Sequence, residues 1–74
     1  MRESIFIKQN IDKWHNYEYM ISREQYESPS HKAEVYMDVS SDLAFAQSHY
    51  PNAEITSYLN DITAKLHNDL YNTS

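Results

Sequence analysis

The sequence contains no glycine in 74 residues. Glycine provides the positive φ angles of tight β-hairpin turns and the close backbone approach of phosphate-binding loops. The chain is therefore poorly suited to an antiparallel sheet, and its sequence has neither a P-loop nor a dinucleotide-binding fingerprint. A fold built from α-helices is predicted.

Apolar residues recur every three or four positions in three segments, at about residues 4–24, 29–50 and 53–72. This is the period of an amphipathic helix, which buries one apolar stripe and exposes its opposite side. The three stripes are Ile7, Ile11, Trp14, Tyr17 and Ile21; Val35, Val39, Leu43, Ala46 and Tyr50; and Ile55, Leu59, Ile62, Leu66 and Leu70. All 74 residues are expected to form one domain around one small core.

Two prolines mark the breaks between the predicted helices. Ser28 can cap a helix whose first position is Pro29, where the missing amide hydrogen would have no intrahelical partner. Pro51 disfavours helical geometry at Tyr50 and ends the second helix, and Asn52 is expected to cap the third. Short connections make successive helices antiparallel. The predicted fold is an all-α, up-down-up three-helix bundle.

Charge and cysteine content exclude several kinds of partner and site. The net charge is −5, and the six Lys and Arg residues are scattered along the chain, which argues against nucleic acid and against direct binding of anionic lipid. Without cysteine the chain has no disulfide and no thiolate zinc site, and no cofactor is expected. No run approaches the roughly 20 apolar residues that cross a bilayer.

Two acids lie on or beside the apolar stripes. Glu18 falls between Trp14 and Ile21, and Asp42 lies at the edge of the second stripe. A carboxylate in a core needs hydrogen-bond donors, so both acids are predicted to belong to a buried polar network or to reach solvent. The alternative is a metal-dependent enzyme site made of Glu18, Asp42 and His67, which is disfavoured because no helix carries a Glu-x-x-His pair.

The third helix carries a second ordered line of residues. Asn60, Ala64, His67 and Tyr71 are spaced by four, three and four residues, which places them on one side of the helix, away from the apolar stripe. A small residue among directional polar groups suits close approach by another helix. The line is a candidate interface. The alternative is that His67 and Tyr71 cover the edge of the core or face solvent.

The stretches DLAFAQSHYPN and YLNDITAKLH, the latter followed within three residues by LY, carry a resemblance to a known family. They resemble the amino-terminal cytoplasmic region of the stage II sporulation protein M family of bacterial integral membrane proteins. The matching positions span nearly the whole chain: Trp14 and Glu18; Asp42, Leu43 and Phe45; Pro51; and Leu59, Asn60, His67 and Tyr71. The family often has Arg where this chain has Gln47, so a salt bridge from that position cannot form here.

The resemblance implies a non-catalytic interaction domain that precedes membrane-spanning helices. It would lie on the cytoplasmic side of the bacterial inner membrane and contact its own membrane-embedded region or another protein. A free-standing soluble adaptor, or a module that pairs two copies of the chain, is the alternative. The small metal-dependent enzyme is the third interpretation.

Overall fold

The computed structural model describes residues 2–71, which form three α-helices. These are α1 (Glu3–Arg23), α2 (Pro29–His49) and α3 (Glu54–Tyr71). The predicted all-α bundle is confirmed, and each described boundary lies within one residue of its predicted position. The predicted end of the third helix at residue 72 lies outside the described residues.

A left-handed residue ends α1 in place of the glycine that usually occupies such a position. Glu24 has φ 52° and ψ 39°. Its backbone N–H donates to the carbonyl of Ile21, and the N–H of Gln25 donates to that of Met20. These bonds satisfy carbonyls that would otherwise lack partners at the helix end. The chain then reaches Ser28, whose hydroxyl accepts the N–H of His31 and caps α2 as predicted.

The turn around Pro51 connects α2 to α3. The N–H of Tyr50 donates to the carbonyl of Ala46 over 2.7 Å and closes α2. Ala53, rather than Asn52, immediately precedes α3, and its carbonyl accepts the N–H of Thr56. The prediction that Asn52 occupies the cap position is therefore wrong by one residue, because the turn after Pro51 takes one residue more than expected.

Paired side chains show that α1 and α2 run in opposite directions. Trp14 of α1 contacts Asp42 of α2, and Tyr17, one turn later in α1, contacts Asp38, one turn earlier in α2. The two helices are therefore antiparallel along this contact.

A second set of contacts shows that α2 and α3 are antiparallel as well. The Lys32 ammonium, near the start of α2, donates to the carbonyl of Asp69 near the end of α3. At the other end, the Thr56 hydroxyl donates to the carbonyl of Tyr50 over 2.6 Å. Consequently α1 and α3 are parallel, in a bundle with extents of 39 × 20 × 17 Å.

The core runs along the centre of the bundle, and the α2 and α3 backbones approach each other most closely. Its buried apolar residues are Phe6, Trp14 and Met20 of α1; Val35, Val39 and Ala46 of α2; and Ile55, Leu59, Ile62 and Leu66 of α3. The stripe of α3 is thus buried as predicted, except that Leu70 is only partly buried.

The predicted core stripe of α1 is partly wrong. Phe6 is buried, whereas Ile7 and Ile11 remain partly exposed at the edge of the core. The Phe6 ring lies 4.9 Å from the ring of Phe45 and 5.8 Å from that of Tyr50. Phe6 therefore packs in the core against aromatic rings of α2 and its carboxyl end. In this orientation of α1, Ile7 and Ile11 lie toward the space between α1 and α3.

Candidate functional site

The predicted line on α3 lies on the surface of the bundle. Asn60, Ala64, His67 and Tyr71 are all exposed, and Tyr71 is 73% exposed. None of the four belongs to the core cluster. Together with Tyr36 of α2, which is partly buried beside them, these residues are called the outer α2–α3 face.

Three rings form a row across the outer α2–α3 face. The His67 imidazole lies 4.6 Å from the Tyr71 ring and 6.1 Å from the Tyr36 ring, measured between centroids. The row links α2 to α3 at the surface, one turn away from the small side chain of Ala64. An aromatic row beside a small residue, with the Asn60 amide next to it, offers apolar area and directional hydrogen bonds to a partner helix.

Asp42 lies between α1 and α2, where it accepts hydrogen bonds from two different side chains. The indole Nε1–H of Trp14 donates to Oδ2 of Asp42 over 2.8 Å, and Nζ of Lys13 lies 2.9 Å from the same oxygen. Trp14 is fully buried, so Asp42 provides the acceptor that the buried indole requires. The side chain of Asp42 keeps 17% of its accessible surface.

Asp38 extends this arrangement by one turn of α2. Its Oδ2 lies 3.3 Å from Nζ of Lys13 and accepts a hydrogen bond from the hydroxyl of Tyr17. Lys13, Trp14, Tyr17, Asp38 and Asp42 are together called the α1–α2 polar network. It connects two helices whose backbones are farther apart than those of α2 and α3.

The α1–α2 polar network raises the pKa values of two of its members, Tyr17 and Lys13. Burial raises the pKa of the Tyr17 hydroxyl, and the hydrogen bond to Asp38 and the negative charges of Asp38 and Asp42 raise it further. Burial alone would lower the pKa of Lys13, but its hydrogen bonds and charge interactions with Asp42 and Asp38 outweigh burial and raise it. The network thus favours a neutral tyrosine and a charged lysine.

Glu18 is exposed, so the predicted buried network does not include it, and the predicted alternative, that this acid reaches solvent, is what the structure shows. Its Oε1 accepts a hydrogen bond of 2.9 Å from the hydroxyl of Tyr58 on α3. Burial, this hydrogen bond and the charge of Glu18 raise the pKa of Tyr58. Glu18 therefore connects α1 to α3, whereas Asp42 connects α1 to α2, and the two acids have separate partners. The reason is that Glu18 projects from the side of α1 that faces α3.

The residues of the alternative metal site lie on three different sides of the bundle. Glu18 lies between α1 and α3, Asp42 between α1 and α2, and His67 on the outer α2–α3 face. Among residues 2–71, no three His, Asp or Glu side chains are arranged to hold a metal ion. The structure does not bring the proposed ligands together.

Sequence reasoning missed three members of the α1–α2 polar network: Lys13, Tyr17 as a hydrogen-bond donor, and Asp38. A signal for the network was present. Asp38 and Asp42 are four residues apart on α2, and Lys13 and Tyr17 are four apart on α1, so each pair shares a helix face. Two acids facing a cation and a hydroxyl across antiparallel helices are a pattern that can be read in advance.

These features define a small helical domain with a closed core and a polar link between its first two helices. A model of the family described as a domain of unknown function (DUF8413) matches residues 4–72, and the chain belongs to that family. No curated protein and no solved structure matches the chain. In the part of the chain spanning residues 2–71, no helix has both the length and the apolar character needed to cross a bilayer.

Proposed function

We propose that this chain is a non-catalytic interaction domain of a stage II sporulation protein M-like membrane protein. It lies on the cytoplasmic side of the bacterial inner membrane and precedes the membrane-spanning helices. The outer α2–α3 face contacts the membrane-embedded region of the same protein or a second protein, and so positions the domain.

The observation that carries the proposal is the exposure of Asn60, Ala64, His67 and Tyr71 on α3. Asn60, His67 and Tyr71 contribute nothing to the buried core, yet they are aligned over three turns. Tyrosine is enriched at protein interfaces, and Tyr71, a residue that is 73% exposed, leaves most of its area available for burial on binding. An ordered aromatic and polar row outside the core supports a contact with another helix.

The membrane part of the proposal rests on the sequence resemblance. The segment YLNDITAKLH supplies both the buried Leu59 and the exposed Asn60 and His67. The resemblance thus includes surface residues that core packing does not require. The separate placement of Glu18, Asp42 and His67 supports a binding role over catalysis, because acid–base or metal chemistry needs its groups within reach of one substrate.

Reading the gene downstream of codon 74 tests the membrane part. The proposal expects an open reading frame that continues into several apolar segments of about 20 residues, each long enough to span a bilayer. A stop codon directly after Ser74 contradicts it and leaves the soluble adaptor or the pairing of two copies.

Photocrosslinking in the full-length protein tests the contact itself. A benzoylphenylalanine replaces Tyr71 on the outer α2–α3 face, and in a control it replaces Asp12, an exposed residue of α1. The proposal expects crosslinks from position 71 and few from position 12. Peptide mapping then shows whether the crosslink joins the membrane-embedded region, another protein or a second copy. Equal crosslinking at both positions rules out a specific contact at this face.

A further inference from the structure

Two adjoining depressions lie between α1 and α3, and no residue of α2 lines either of them. One half is lined by Glu3, Ile7, Ile11, His15, Glu54, Ile55 and Tyr58. The other half continues from His15 and is lined also by Glu18, Tyr19, Ile21, Ser22, Ile62 and Lys65. We call this surface the α1–α3 groove, and it is separate from the outer α2–α3 face.

The floor of the groove is apolar. Ile7, Ile11 and Ile21 of α1 are partly exposed there, although their spacing makes them part of the predicted core stripe. On the other wall, Ile55 and Ile62 have their outer edges at the groove. From Ile7 to Ile21 the floor is about 21 Å long at 1.5 Å per residue, which equals about four turns of helix.

The charged residues of the groove are mostly acidic and are ordered along it. Glu3 and Glu54, in the first turns of the parallel helices α1 and α3, flank one end. Farther along the helices, Glu18 and Lys65 line the same half of the groove. Among the residues lining these two halves of the groove, Lys65 is the one lysine or arginine.

We propose that the α1–α3 groove binds an amphipathic helix of a partner protein, antiparallel to α1 and α3, with lysine or arginine in its last turn. Its apolar stripe packs on the isoleucine floor. Its basic carboxyl-terminal turn faces Glu3 and Glu54, where opposite charge and its own helix dipole are both favourable. The bound helix completes a four-helix bundle. This binding site is additional to the contact proposed for the outer α2–α3 face.

The hydrogen bond between Tyr58 and Glu18 fits this arrangement. It joins Tyr58, which lines one half of the groove, to Glu18, which lines the other, and so fixes α1 against α3 along the site. The Tyr58 ring lies 6.3 Å from the buried Trp14 ring, so the groove floor at this point is continuous with the core.

Binding of a synthetic helix tests the proposal. The probe is a fluorescein-labelled 18-residue peptide with a leucine stripe, lysines in its last turn and glutamines elsewhere. A matched peptide carries glutamates in place of the lysines, and a third has the first peptide's residues in scrambled order. Fluorescence anisotropy with the 74-residue chain at physiological salt is expected to show saturable binding of the lysine peptide alone. Equal binding of the glutamate or the scrambled peptide overturns the proposal.

Charge reversal locates the binding site. The double variant Glu3→Lys with Glu54→Lys is expected to raise the dissociation constant of the lysine peptide at least about tenfold, because close charge pairs at an interface contribute on this scale. The control, Glu27→Lys with Glu34→Lys, makes the same charge change at exposed positions outside the groove. Salt screens charges over about 8 Å, so the affinity of the control variant for the lysine peptide should be nearly unchanged. Equal weakening in both variants contradicts a site in the groove.

A second pair of variants tests the apolar floor. Ile11→Lys places a charge in the groove, whereas Ile5→Lys places one at a position that is 45% exposed and outside it. Circular dichroism first confirms that both variants are folded. If only Ile11→Lys loses binding of the lysine peptide, the peptide packs on the isoleucines of the groove. If both variants lose it equally, the peptide does not bind there.

An experiment with lipid vesicles tests whether the groove binds a membrane surface instead of a helix. Sedimentation with vesicles of phosphatidylglycerol and phosphatidylcholine is expected to leave the chain in solution. Vesicle binding that Ile11→Lys abolishes would overturn the helical partner in favour of a membrane. Crosslinking from position 71 should be unaffected by the Glu3→Lys and Glu54→Lys changes, so failure of one proposal can be distinguished from failure of the other.

Discussion

The α2–α3 pair and the α1–α2 contact hold the bundle together by different means. Between α2 and α3, the backbones are close, and both helices contribute fully buried aliphatic side chains, such as Val39 and Leu59. Between α1 and α2, the backbones are farther apart, and the indole of Trp14 and the carboxylates of Asp38 and Asp42 fill the distance. Small aliphatic residues allow close packing, whereas large polar-tipped residues bridge a wider separation.

The difference also decides how each contact fails. Removing an aliphatic group leaves a cavity, and the cost follows the volume lost. Removing one member of a hydrogen-bonded network leaves its partner unsatisfied, and the cost follows the burial of that partner. The α2–α3 pair should therefore be sensitive to side-chain volume, and the α1–α2 contact to polarity and pH.

Leu59→Ala should have the largest effect. The side chain is fully buried on α3, so its truncation is expected to lower the free energy of unfolding by about 2–5 kcal/mol. Leu70→Ala, at a partly buried position of the same helix, is the matched control and should cost clearly less. Urea unfolding followed by circular dichroism measures both. Equal losses would show that the α2–α3 contact is not concentrated at its centre.

Asp42→Ala should come next. The indole N–H of the fully buried Trp14 loses its acceptor, and Lys13 loses its closer carboxylate, with an expected loss of about 1–3 kcal/mol. Asp61→Ala removes an exposed aspartate from α3 and should change stability by less than about 0.5 kcal/mol. Chemical denaturation compares the two, and similar values would show that the α1–α2 polar network contributes no stability.

Tyr17→Phe should act on the pH dependence of stability. The pKa of Tyr17 is raised above its usual value of 10 by burial and by its contact with Asp38. Well below pH 10, the hydroxyl is protonated in both states. Above this pH the unfolded chain loses the proton first, so the stabilisation is lost as the pH rises toward the folded pKa. The phenylalanine variant should show a shallower alkaline decline in thermal midpoint than the wild type. An unchanged slope contradicts the role of the hydroxyl.

His67→Ala should have the smallest effect, because the side chain lies at the exposed edge of the α2–α3 pair and outside the core. Its imidazole is exposed, and within residues 2–71 its ring neighbours are Tyr36 and Tyr71. The free energy of unfolding of the isolated chain is expected to change by less than about 0.5 kcal/mol. Assembly of the full-length protein should nevertheless weaken if the outer α2–α3 face is an interface. A loss of several kcal/mol in the isolated chain would instead assign the imidazole to the core.

The helices and most of the core could be predicted because they depend on local pattern. The Ser28 cap with Pro29 marks the start of α2, and Pro51 marks its end. Periodicity also identified Leu59 and Ile62 as core residues. These signals lie within one helix and need no knowledge of how the helices pack.

The way the helices pack against one another could not be predicted from periodicity alone. The rotation of α1 that buries Phe6 and leaves Ile7 at the groove depends on how far α1 stands from α3, and no single-helix pattern encodes that distance. The partners of Glu18 and Asp42 likewise follow from the packing of three helices. Each acid was located correctly on its helix, but its neighbours across the bundle depended on tertiary structure.

The burial of Trp14 gives the molecule an internal optical reporter. It is the single tryptophan of the chain, its ring is fully enclosed, and its Nε1–H is bonded to Asp42. Indole emission moves to longer wavelength when water reaches the ring. The wavelength of the emission maximum therefore reports whether α1 is packed against the other two helices. During unfolding, the tryptophan emission can be compared with the circular dichroism of the helices. A change in emission that precedes the loss of helical signal means that α1 separates first, whereas simultaneous changes mean that all three helices unfold together.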